Sequence, residues 1–180
     1  MLINKFYNGE LVNYIRNSKK NPIFKIGTGG GLNVSCYMKE YDENRDTIFK
    51  SLIEFNKKIL KDNKLCNFDN KFFIEHRDLI FKKNDVSPDI PFHQDSFMDT
   101  GDDCFTSIYY YHVDESILGG ELLINALNVE LDKDTSKFFV HKPRTGDIVF
   151  FNGNLSHKIG RIYGQGLQGT ITIHSKINNS

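Results

Sequence analysis

From Asn70 onward the chain reads as a series of short extended segments, and that rhythm constrains the fold more than any single motif does. Eight such segments stand out: Phe72–Phe81, Phe92–Asp95, Cys104–His112, Glu121–Val129, Phe138–His141, Asp147–Phe151, Ser156–Ile162 and Gln168–Ser175. They are rich in β-branched and aromatic residues, and Gly, Pro, Asn or Asp signals separate them. That count and spacing belong to a two-sheet barrel or jelly roll. A parallel sheet would require strands to alternate with helices, and none do here.

The first 70 residues are different in kind. Pro22–Ile26 and Leu32–Met38 read as two strands around Gly27-Thr28-Gly29-Gly30-Gly31. The glycines do not make a phosphate loop, because no Gly-Lys-Ser/Thr follows and Leu32 breaks the dinucleotide spacing. A hairpin connection or a mobile flap over a site is the expectation. From Asp42, an expected N-cap, Ile48, Phe49, Leu52, Ile53, Ile59 and Leu60 recur at steps of three and four, while lysines and Glu54 take the other face. This predicts a helix packed on the back of a sheet. With no repeat and no linker, residues 1–180 are expected to form a single domain: strands and a helix over 1–70, the β core over 71–175.

A chain of 180 residues buries a sizeable core without a staple, so a bound metal would serve function rather than folding. Its 23 basic and 23 acidic residues cancel, and no basic stripe offers a grip on nucleic acid. Cys36, Cys66 and Cys104 are scattered and odd in number, which argues against a disulfide framework or a zinc site and for a reducing, cytoplasmic setting. No apolar run reaches the length of a membrane span, and Met1 to Glu10 lack the order of a signal peptide. Oligomeric state is not legible in the sequence.

The chemistry-bearing stretch is Pro91-Phe92-His93-Gln94-Asp95, answered by His157. In an extended segment His93 and Asp95 share a face and can hold one metal ion together, with His157 completing the set. Two imidazoles and one carboxylate leave open positions on an octahedral ion, the arrangement suited to non-haem Fe(II). A second His-x-Asp, His112-Val113-Asp114, competes with the first. His93 and Asp95 are preferred because a polar loop at Asp99–Asp103 follows them and because the 62 residues to His157 leave room for the intervening strands. Of the other histidines, His76 is expected to be structural, His141 exposed at a turn, and His174 a site-lining residue on the face of Gln168, Thr170 and Thr172.

In order, His93-x-Asp95, the Tyr109–Tyr111 strand, Gly119-Gly120-Glu121-Leu122, Pro143-Arg144-Thr145-Gly146 and His157 resemble the 2-oxoglutarate and Fe(II)-dependent oxygenase family, of prolyl-hydroxylase type. The resemblance spans roughly residues 71 to 175. It implies a mainly β fold, a double-stranded β-helix of jelly-roll or cupin-like kind with the N-terminal helix on one sheet. It also implies Fe(II) on His93, Asp95 and His157 as catalytic centre and 2-oxoglutarate as cosubstrate. The expected activity is a dioxygenase hydroxylating a small-molecule, amino-acid or peptidyl substrate. Relatives that halogenate lack the carboxylate that Asp95 supplies, so hydroxylation is the expected outcome.

Family members place an Arg or Lys about ten residues after the distal His to grip the cosubstrate's far carboxylate. Here that setting reads Gly166-Leu167-Gln168-Gly169-Thr170, a neutral amide where the cation belongs. Counting by twos from His157 makes Arg161 the first substitute and Arg77 the second, with Gln168, Thr170, Tyr109 and Tyr111 as further cosubstrate-binding candidates. Two other classes remain open: a cupin-like metal enzyme that does not use 2-oxoglutarate, and a non-catalytic β-sandwich binding module.

Overall fold

The computed structural model describes residues 1–17, 24–26, 32–65, 67–87, 90–97, 101–126 and 138–178, with backbone alone for 24–26, 32–38 and 83–84. The Gly27–Gly31 loop and Cys66 lie outside the described residues. The elements in chain order are β1 (Leu2–Lys5), α1 (Gly9–Asn17), β2 (Phe24–Ile26), β3 (Leu32–Glu40), a 3-10 turn (Thr47–Phe49), α2 (Lys50–Asp62), β4 (Phe68–Val86) and β5 (Cys104–Val113). They continue with β6 (Ile117–Gly119), β7 (Leu122–Ile124), β8 (Phe139–His141), β9 (Asp147–Asn152), β10 (His157–Ile159) and β11 (Ile162–Ile177). The large sheet has the order β1-β9-β5-β11-β4-β3-β2, with β6 paired to β11, and the small sheet has the order β10-β7-β8. Every pairing is antiparallel. The architecture is the expected mainly β double-stranded β-helix, with β2 and β3 forming the anticipated hairpin. Among the described residues no helix is long and apolar enough to cross a membrane.

Alternation along β5 divides the core in two. Phe105 and Tyr109 face α1 and α2, where Leu11, Ile15, Leu52, Ile53 and Leu60 pack against them together with Phe150 and Ile171. Ile108 and Tyr110 face the small sheet, where Leu122, Ile124, Val149 and Phe151 close the space between the sheets. The helices therefore cover one face of the large sheet and leave the other to the β sandwich and its site.

Several boundaries differ from the sequence expectations. Asp42 does not cap α2, because its carboxylate accepts the N–H groups of Asn44 (2.9 Å) and Arg45 (3.3 Å) in a local turn. The α-helix begins eight residues later, at Lys50. Helix α1 was not anticipated, although Asn8 caps it by accepting the Leu11 N–H (3.0 Å), and Leu11 and Ile15 bury one face. The last strand does not stop at the glycines of Tyr163-Gly164-Gln165-Gly166. Gly164 (φ 110°) and Gly166 (φ 132°) absorb a register shift against β4, so β11 runs through as one strand.

Candidate metal centre

The site forms where the two sheets meet. His93 and His157 are bridged directly: the His93 N–H donates to the His157 carbonyl (2.9 Å) and the His157 N–H to the His93 carbonyl (2.8 Å). Directly opposed residues of an antiparallel pair share a face, so the two imidazoles stand side by side with ring centroids 4.4 Å apart. Two residues on, the Asp95 N–H donates to the Gly153 carbonyl (2.9 Å), which returns the Asp95 carboxylate to the same side. Gly153 itself lies close against β5, where a Cβ would sit 2.7 Å from the Cys104 sulfur and 2.9 Å from its carbonyl.

Each imidazole is held in one tautomer by the backbone. His93 Nδ1 donates to the Pro91 carbonyl (3.1 Å), and His157 Nδ1 donates to the Leu155 carbonyl (2.9 Å). Both Nε2 lone pairs therefore point at Asp95, at 3.9 Å from Oδ1 for His93 and 3.4 Å from Oδ2 for His157. One donor atom from each of the three residues lies within 4.8 Å of the others. Burial holds His157 below the ordinary imidazole range, opposed by the Asp95 charge, which favours the neutral, ligand-competent ring.

A second layer comes from the large sheet. The Thr106 hydroxyl on β5 donates to Asp95 Oδ2 (2.8 Å), and His174 Nδ1 on β11 lies 3.4 Å from that hydroxyl and 3.9 Å from the carboxylate. The order His174, Thr106, Asp95 orients the carboxylate through Oδ2, the oxygen on the His157 side, and leaves Oδ1 on the His93 side. Cys104 adds no reactive thiol: burial pushes it up to about 12. A cavity of about 340 Å³ opens over this set, lined by Glu75, Arg77, Ile108, Ile159, Thr172 and His174 besides the three. Backbone-anchored imidazoles, an oriented carboxylate and an adjoining cavity fit a divalent ion such as iron.

The other candidates lie elsewhere. His112 and Asp114 are spent on each other and on their neighbours: His112 Nε2 donates to Asp114 Oδ1 (2.8 Å), Arg16 donates to His112 Nδ1 (2.7 Å), and the Leu167 N–H donates to Asp114 Oδ2 (2.6 Å). Tyr109 and Tyr111 do not reach the cavity. Tyr109 packs edge-on against Phe6 on the helix side, and Tyr111 donates to Asp78 there. Arg161 is exposed and does not line the cavity, because Gly160 and Arg161 interrupt the strand between β10 and β11 and reset the count by twos from His157. Thr170 lies opposite Arg77 on β4, and Gln168 is buried beside Gly120 with its amide nitrogen unpartnered among the described residues. His141 is buried against Tyr110 rather than exposed. His76 is buried and paired with Asp78 (3.1 Å), and His174 lines the cavity. Thr106 and Gly153 were not singled out in the sequence; nothing in a lone Thr or Gly marks it as the support of a carboxylate eleven residues away or of a backbone approach.

No protein-family model and no curated protein matches the sequence. Solved structures do match by shape. A prolyl-4-hydroxylase from Pseudomonas putida aligns at TM-score 0.58 and 13% identity, over 99% of this chain and 92% of its own. An oxidoreductase of the 2OG-Fe(II) oxygenase family from Burkholderia pseudomallei aligns at TM-score 0.62 and 11% identity, over 94% and 78%. At such identities the likeness is one of fold.

Proposed function

We propose that the protein is an Fe(II)- and 2-oxoglutarate-dependent oxygenase that hydroxylates a small-molecule, amino-acid or peptidyl substrate. The observation that carries this proposal is the pair of imidazoles whose Nδ1 atoms are bound to backbone carbonyls, so that both Nε2 atoms face Asp95 at the mouth of a cavity. A buried histidine that served packing alone would have no reason to share its free nitrogen's space with a second histidine and a carboxylate. The shared fold with 2-oxoglutarate oxygenases supports the assignment, and the prolyl-4-hydroxylase among those structures puts a prolyl side chain among the substrates to try.

In this proposal His93, Asp95 and His157 hold the metal, and Thr106 keeps the carboxylate turned toward it. Bound there, iron with 2-oxoglutarate and dioxygen would supply the oxidising power for C–H hydroxylation, one oxygen atom going to the substrate and the other to the succinate formed with loss of carbon dioxide. The chain's own share is positioning and exclusion of water. Ile90, Ile108 and Ile159 give the cavity apolar walls, and Glu75, Arg77, Thr172 and His174 give it polar points of attachment. With Asp95 as a ligand the metal would lack the position that chloride needs in halogenating relatives, which favours hydroxylation.

Anaerobic titration with Fe(II) and then 2-oxoglutarate tests this. A weak visible charge-transfer band, followed on admission of oxygen by succinate formation, is expected. Metal binding without the band or succinate would move the protein to the cupin-like enzymes that do not use 2-oxoglutarate. Failure to bind metal would leave a binding module.

A further inference from the structure

We infer that the far carboxylate of the anionic cosubstrate is gripped from β4 by Arg77, and that Glu75, now ion-paired to Arg77, is the group the cosubstrate displaces. This rests on the 2-oxoglutarate assignment above and goes beyond it, because it moves the anchor from the last strand to its neighbour.

Directly opposed residues in the β4–β11 pairing share a face: Arg77 with Thr170, Glu75 with Thr172, Phe73 with His174. Thr172 and His174 line the cavity, and so do Glu75 and Arg77. Gln168, where the cation of the resembling family would stand, is opposite Leu79, one pair further from the metal set. It sits beside Gly120, whose added Cβ would come within 3.1 Å of both its amide nitrogen and the Ile162 side chain. Ile162 belongs there to an apolar cluster with Phe81 and Ile117, and Ile159 both packs on that cluster and walls the cavity. Gln168 is thus buried beside an apolar cluster, and it is not among the residues that line the cavity. An Arg one strand over and one pair nearer the metal, across a strand spacing of about 4.8 Å, reaches the cavity.

Among the described residues that line the cavity, Arg77 is the one with a permanent positive charge. Its guanidinium is already engaged by the Glu75 carboxylate. The planar fork suits a second carboxylate in the same geometry, so an incoming dicarboxylate meets a preformed carboxylate site whose current occupant is a side chain. Glu75 then acts as a competitor for the site. Its removal should help the anion bind, whereas loss of Arg77 should hurt it.

The test uses the full-length protein loaded with Mn(II) in place of iron, so that the readout is binding rather than turnover. Calorimetry would compare 2-oxoglutarate with 2-oxopentanoate, which keeps the keto acid and lacks the far carboxylate. Arg77→Gln is expected to weaken 2-oxoglutarate by roughly ten- to a hundredfold, the range of a charge-assisted hydrogen bond, and to leave 2-oxopentanoate and Mn(II) affinity unchanged. Glu75→Gln is expected to tighten 2-oxoglutarate several-fold, which guards against a loss caused by misfolding. If the wild type binds 2-oxoglutarate and Arg77→Gln binds it equally well, or if Glu75→Gln weakens it, the anchor is elsewhere and the inference falls while the oxygenase assignment stands. If the Mn(II)-loaded wild type does not bind 2-oxoglutarate, the cosubstrate assignment falls and takes this inference with it.

Discussion

Of the chain's three His-x-Asp tripeptides, those at His93 and His112 stand nineteen residues apart, and their imidazole nitrogens are used in opposite ways. In His93-x-Asp95 the imidazole Nδ1 is tied to a backbone carbonyl and Nε2 is left facing a carboxylate and a second imidazole. In His112-x-Asp114 the assignment of nitrogens is reversed: Nδ1 accepts from Arg16 and Nε2 donates to Asp114, so no lone pair is left over. Among the described residues Asp95 takes one side-chain hydrogen bond, from Thr106, whereas Asp114 has one oxygen on His112 and the other on the Leu167 N–H. The tripeptide alone therefore carries little information. What decides between ligand and strut is which hydrogen-bonding groups the neighbouring strands bring to Nδ1 and to the carboxylate.

The largest expected effect breaks the first pair and spares the second. His93→Ala and Asp95→Ala should each abolish measurable Mn(II) or Fe(II) binding, while His112→Ala leaves metal affinity at the wild-type value. His93 is nearly half exposed, so the His93 variant should melt close to wild type in the absence of metal. Loss of metal binding in His112→Ala, with retention in His93→Ala, would exchange the roles assigned here.

The site was legible in the sequence to the extent that strand periodicity reaches. His93 and Asp95 share a face because side chains alternate, and a bridge to His157 needs only that the two segments pair. Alternation does not say which parity faces inward. On β5 the tyrosines at 109 and 111 share the helix side, and Tyr110 is the one that looks into the sandwich. Parity also fails wherever a strand is interrupted: Gly160-Arg161 breaks the count that would have carried Arg161 to the metal, whereas β4 is continuous and carries Arg77 to the cavity. Helix α1 was legible and missed, since Asn8 with Leu11 and Ile15 is a cap followed by an i, i+4 apolar pair. The burial of His141 was not, because it depends on Tyr110 arriving from a distant strand.

A smaller effect sharpens the contrast between the carboxylates. Thr106→Val keeps the shape of the side chain and removes the hydroxyl that orients Asp95. Loss of such a support costs on the order of 10- to 100-fold in metal affinity in other sites. That loss is expected here, with Thr106→Ser restoring most of it. Equal metal affinity in the Val and Ser variants would mean that Asp95 is positioned by its backbone bond to Gly153 alone.

The smallest effect belongs to the second pair and is one of stability and pH. The Leu167 N–H donating to Asp114 holds its carboxyl below the usual range, against the opposing effect of burial and with help from His112. A carboxyl whose folded value is depressed stabilises the fold above its unfolded value, near 3.9, and loses that contribution as pH falls through the folded value. Asp114→Asn keeps an oxygen for Leu167 and removes the charge. Because the side chain is 39% exposed, solvent screens the interaction, and the expected loss at pH 7 is about 1 kcal/mol or less. For a chain of this length that is a fall of roughly 2–4 °C in melting temperature, with no change in metal affinity. The two melting temperatures should converge as pH drops below about 4, because the wild-type carboxylate is then titrated away. A gap that stayed constant from pH 7 to pH 3 would show that the contact between Asp114 and Leu167 works by shape and not by charge.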